Sequence, residues 1–109
     1  MTEKCLGKIV SAHFGFDADY IYEFGLYLTF SLNDGASQVS AMITTNINPG
    51  CKYDTPNGRA EAVLKMNEEV YAFLKAAKVR NVDDLIGKPI EVTMENRSLK
   101  DFRILTEVL

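Results

Sequence analysis

Arginine is scarce in this chain, so the places where it occurs carry information. Arg59 stands near the start of an amphipathic stretch, Arg80 just beyond its end, Arg97 in a turn between two alternating segments, and Arg103 within the last of these. A planar guanidinium pairs with phosphate through parallel hydrogen bonds and stacks on aromatic rings. A few such groups gathered in one pocket would hold a compact anionic, ring-bearing ligand. The matching side chains are Arg103 and Arg59 for phosphate, Phe102 for the ring, and Asn96 and Asp101 for hydroxyl groups. Arg59, Asn96, Asp101, Phe102 and Arg103 are therefore the candidate ligand-binding residues.

Residue types suited to catalysis are sparse. His13 is the single histidine, and the pattern around it places it on a strand, opposite the apolar face, with no evident partner for acid–base work. Neither a nucleophile elbow nor a phosphate-binding glycine loop occurs, and Asn57-Gly58-Arg59 is too short to count as one. Paired acids at Asp17/Asp19, Glu68/Glu69 and Asp83/Asp84 lack calcium-loop spacing, and the last two pairs fit a solvated helix face and a first helical turn. Cys5, Cys51 and one histidine fall short of a four-ligand zinc site. The expectation is a binding protein, not an enzyme, with no metal, no cofactor and two reduced thiols.

Fifteen acidic side chains against twelve basic ones leave a net charge of −3, the wrong sign for gripping duplex nucleic acid through its phosphates. A locally positive pocket stays compatible with that balance. Met1 to Gly7 contains no apolar core of a secretory signal, and no apolar run approaches the ~20 residues that span a bilayer. A cytoplasmic protein without a membrane partner is expected.

The elements that must carry these side chains follow from periodicity. Lys8–Phe16 alternates, with Val10, Ala12, Phe14 and Phe16 on the apolar face and Ile9, Ser11 and His13 opposite; Phe24–Leu32 alternates more strongly. Turn formers at Asn33-Asp34-Gly35 lead into a third strand, Gln38–Ile47. A turn-rich loop, Asn48–Gly58, precedes a helix of about five turns that runs to Lys78, carrying Ala60, Val63, Leu64, Met66, Val70, Phe73, Leu74 and Ala77 inward, with Thr55 or Asn57 as its cap. Asn81 caps a short second helix to Leu85, closed by Gly87. Pro89–Glu95 and a return strand, with Phe102, Ile104, Thr106 and Val108 on its inner face, flank the Asn96-Arg97 turn. This is a single α+β domain over residues 1–109: a five-stranded antiparallel sheet in the order β-β-β-α-α-β-β, with one long and one short helix packed on it.

In that arrangement Arg103 projects from the face opposite the core, beside Leu105 and on the side of Tyr27 and Thr29. A sheet face of Tyr, Thr, Leu and Arg suits either contact with a second subunit or the wall of a ligand pocket, and a homo-oligomer provides both.

The segments GKPIEVTMENRSLKDFRILTEVL, GKIVSAHFGF and FGLYLTFSL resemble small proteins carried by tailed bacteriophages and prophages, over most of the chain. Compact phage proteins of five antiparallel strands and two helices include the first Thoeris anti-defence family, which the chain resembles and which sequesters cyclic ADP-ribose-type signals made by bacterial TIR proteins. The resemblance implies a homo-oligomeric sponge that binds a small nucleotide signal in the host cytoplasm, leaves it uncleaved and so silences the downstream effector. The alternative on the same residues is a protein-binding phage inhibitor of anti-CRISPR type, whose acids at Asp17, Asp19, Glu91 and Glu95 mimic nucleic acid.

Overall fold

The computed structural model describes residues 2–17, 19, 22–33, 37–48 and 57–108. The expected turn at Asp34-Gly35, and Cys51, Tyr53 and Thr55-Pro56 of the turn-rich loop, lie outside the described residues. Five strands and one α-helix follow in chain order: β1 (Thr2–Phe16), β2 (Glu23–Leu32), β3 (Gln38–Asn46), α1 (Gly58–Ala76), β4 (Pro89–Glu95) and β5 (Ser98–Ile104).

All pairings are antiparallel, in the order β3-β2-β1-β4-β5. Three hairpin-linked strands with a fourth that returns by a long connection beside the first make a Greek key, to which β5 is added by a tight turn. The sheet curls, so that β3 and β5, at opposite ends of the strand order, line the same two cavities. The described residues contain no helix long and apolar enough to cross a membrane.

β1 reaches two neighbours because of a bulge. Its first half pairs with β4 and its second half with β2, and the register slips between Ile9, opposite Phe30, and Ser11, opposite Thr29. Val10 is the extra residue. Simple alternation puts Val10 inside and Ile9 outside; the bulge reverses both, leaving Ile9 fully buried and Val10 at the surface. Beyond the bulge Ala12, Phe14 and Phe16 stand opposite Leu28, Leu26 and Phe24, with Ala12 packed against the core and Phe14 and Phe16 exposed.

The core joins Ile9, Leu26, Leu28 and Phe30 to Ile90, Val92 and Ile104, under Met66 and Val70 of α1. Phe73, Leu74 and Ala77 extend the same helical stripe. Leu64, expected to face inward, is 60% exposed, since it sits about 200° around the helix from Met66. Asn57 occupies the N-cap position without a side-chain capping bond. At the other end Lys78 adopts φ +59, its N–H donates to the Lys75 carbonyl and the Val79 N–H to that of Leu74. This is a Schellman stop made with lysine where glycine is usual.

The second helix is reduced to one 3₁₀ turn, Val82–Leu85. Asn81 is extended and makes no capping bond; its side-chain amide reaches the Asp84 carboxylate at 3.4 Å. Four residues hold no α-helical turn of their own, and the element persists because Leu85 is fully buried. The last strand is also shorter than its alternation implies. It ends at Ile104, residues Thr106–Val108 form another 3₁₀ turn, and Val108 is exposed, not in the core.

Candidate functional site

The five candidate residues do not converge. Arg59 lines a small cavity of about 420 Å³ against Ile47, Val63 and Asn67. Asp101, Phe102 and Arg103 border a groove of about 640 Å³ between β3, β5 and α1. Asn96 belongs to a third cavity, at the other end of the β3–β5 seam.

Three of the five already have partners. The Phe102 ring packs 5.4 Å from Phe30 and 5.7 Å from Phe73, holding β5 to the helix, so its faces are committed to the core. Arg103 is held by two carboxylates: Nη1 and Nη2 donate to Glu107 at 3.0 and 2.9 Å, and Nε to Glu91 at 3.1 Å. An incoming phosphate would have to displace both acids. Asp101 accepts its neighbour Phe102's backbone N–H at 2.8 Å.

The same clamp governs the acids. The hydrogen bonds from Arg103 hold the Glu107 carboxyl down at about 2, and those from Glu107 and then Glu91 raise the already high value of Arg103. A depressed carboxyl stabilises the fold above its unfolded value and loses that contribution as pH falls through the folded one. Glu107 is therefore expected to stay ionised until about pH 2, with release of the 106–108 turn below it. Carbon-13 NMR of the Glu107 carboxyl should show its midpoint well under the ordinary ~4.3 of glutamate; an ordinary midpoint would mean the clamp does not form in solution.

Tyr27 and Arg103 do share the outer sheet face, but they do not form one patch. Tyr27 lies opposite His13, and Arg103 opposite Glu91, which is itself beside Leu6. The stretch of β1 from Leu6 to His13 separates them by roughly 20 Å. His13 stacks on Tyr27 at 5.9 Å, and the tyrosine donates to the Glu23 carbonyl at 3.1 Å. Burial, followed by the charges of Glu23 and Asp17, raises the Tyr27 hydroxyl above its usual value. Asp17 accepts the Asp19 backbone N–H at 2.7 Å, a local turn.

The third cavity contains one further arginine, Arg97. It measures about 790 Å³ and opens between the start of β3 and the β4–β5 hairpin. Its apolar floor is Leu32, Val39, Met94 and Leu99, with Cys5 beside them; Gln38, Ser40, Asn96 and Ser98 supply polar groups, and Glu3 and Arg97 the charges. The volume suits a ligand of nucleotide size. No protein family, curated protein or solved structure matches the chain.

The chemistry of the site therefore rests on its own geometry. Asn96 and Arg97 form a two-residue hairpin turn with φ +52 and +67, both in the left-handed region. Glycine is the usual residue at the second position, and arginine there costs about 1 kcal/mol. Among the described residues Arg97 has no ion pair or hydrogen bond, in contrast to Arg103. A guanidinium with no partner among the described residues, carried on a tight turn, can pair with an anion without first giving one up. Glu3, whose carboxylate lies 3.5 Å from the Cys5 thiol, can accept from hydroxyl groups. Sequence reasoning named Arg97 only as a turn residue; its signal was an arginine where a tight hairpin calls for glycine.

Proposed function

We propose that the protein binds a small anionic nucleotide signal in the cavity between β3 and the β4–β5 hairpin and holds it unreacted. The observation that carries this reading is the 790 Å³ cavity lined by Arg97, which has no partner among the described residues, and by the apolar Leu32, Val39, Met94 and Leu99. Arg97 pairs the phosphate, Glu3 and Asn96 take ribose hydroxyls, and the base lies on Leu32, Val39, Met94 and Leu99. Among the described residues no aromatic ring lines this cavity, and the base is held by aliphatic packing.

A sequestering role accords with the position of the single histidine. His13 is on the outer face against Tyr27, away from the cavity. The resemblance to phage proteins points to a ligand of cyclic ADP-ribose type, and to a homo-oligomer working as a sink for it in the cytoplasm of an infected host cell. Native mass spectrometry of protein purified gently from host lysate tests this directly. A co-purified nucleotide that leaves intact on denaturation is the expected result. A stoichiometric host protein in its place would favour the inhibitor reading with an acidic surface.

A further inference from the structure

The two edges of this sheet are built differently, and we infer from the contrast that β3 pairs edge to edge with β3 of a second copy. β5 carries the usual protection of an exposed edge. Lys100, Asp101 and Arg103 place charges along it, Lys100 reaches Glu95 at 2.9 Å, and its register slips between the pairs Thr93–Asp101 and Met94–Leu99, leaving Lys100 as a bulge. β3, Gln38–Asn46, has nine residues with no lysine, arginine, acid or proline among them. Among the described residues no strand lies beyond it.

The hydrogen-bond phase of that edge follows from its two ends. The Leu32 N–H donates to the Ser37 carbonyl and the Ile47 N–H to the Tyr22 carbonyl, so the pairs 32–37 and 22–47 are hydrogen-bonded ones. Stepping by two along the register, the odd-numbered residues of β3 bond to β2. Ser40, Met42 and Thr44 consequently turn their N–H and carbonyl groups outward.

A second copy fits this edge for reasons of symmetry. Antiparallel pairing about a two-fold axis at Met42 sets Met42 opposite its counterpart and Ser40 opposite Thr44, each pair exchanging two bonds, about six in all. No charge meets a like charge across the axis. Met42, 53% exposed in the single chain, gains an apolar neighbour. A strand with no charged residue of its own offers little to select a charged partner, whereas it is complementary to itself.

Sedimentation of the full chain at about 100 μM is expected to give twice 12.2 kDa. Met42→Lys and Met42→Glu should each sediment as monomers, and an equimolar mixture of the two should recover the dimer, because opposite charges then face each other. Amide exchange separates this edge from a dimer that packs sheet faces. The Ser40, Met42 and Thr44 amides should be slow in the parent and at least tenfold faster in Met42→Lys. A monomeric parent, variants that remain dimeric, or edge amides equally fast in both proteins would each overturn the inference.

Discussion

Replacing Gly25 by alanine is expected to cost about 3 kcal/mol or more, a large share of the 5–15 kcal/mol that holds a domain of this kind together. Gly25 sits in β2 between Gly15 of β1 and Thr44 of β3, fully enclosed, at φ +151. A methyl group there would overlap the Ile43 carbonyl oxygen and lie 2.7 Å from the Thr44 Cα. Both are backbone atoms of the neighbouring strand, so relief requires β2 and β3 to part. Gly15, at φ +159, provides the control. Its methyl group would meet only the exposed His13 ring, at 3.2 Å, and that ring can turn away. Urea unfolding should therefore show a much lower midpoint for Gly25→Ala and a modest shift for Gly15→Ala. Equal midpoints would mean that the β2–β3 approach is not as close as described.

Arg97→Ala is expected to weaken nucleotide binding ten- to a hundredfold, the loss of one charge-assisted pair at roughly 1.5–3 kcal/mol. Arg103→Ala and Arg59→Ala should leave affinity within about threefold of the parent, because Arg103 is occupied by Glu91 and Glu107 and Arg59 lines a different cavity. This reverses the ranking that sequence alone gives, where Arg103 and Arg59 come first. Calorimetric titration with cyclic ADP-ribose distinguishes the two rankings. A large loss in Arg103→Ala with an unaffected Arg97→Ala would move the site to the groove beside Phe102.

The strands and the long helix are legible in the chain because each buries one face, and burial writes period two or period 3.6 into the residues. β2 is the clearest case, with Leu26, Leu28, Phe30 and Leu32 all buried as their spacing requires. What periodicity cannot carry is a change of phase. Val10 and Lys100 each add one residue to a strand, and neither has a type that announces a bulge. Pairing alone marks them. Val108 fails for a related reason: its alternation continues past Ile104, but the Arg103–Glu107 clamp turns the chain into a 3₁₀ turn.

The candidate site was less legible than the fold because it is made by curl. Residues 37–40 and 94–99 are far apart in sequence and at opposite sides of the strand order, and they meet only when the sheet bends. Proximity along the chain favoured the cluster Asp101, Phe102 and Arg103 instead. Their alternation in fact sends Phe102 to the core and Arg103 to the outer face, where the nearby acids claim it.

The most direct test of the account is retention of an intact ligand. Purified protein is incubated with the products of an activated TIR enzyme, freed of unbound material, heated to denature it, and the released material is identified by mass spectrometry. An intact cyclic nucleotide is expected from the parent, near one per cavity, and strongly reduced from Arg97→Ala. Recovery of a cleaved product, or no nucleotide from a parent protein that is folded, would contradict it.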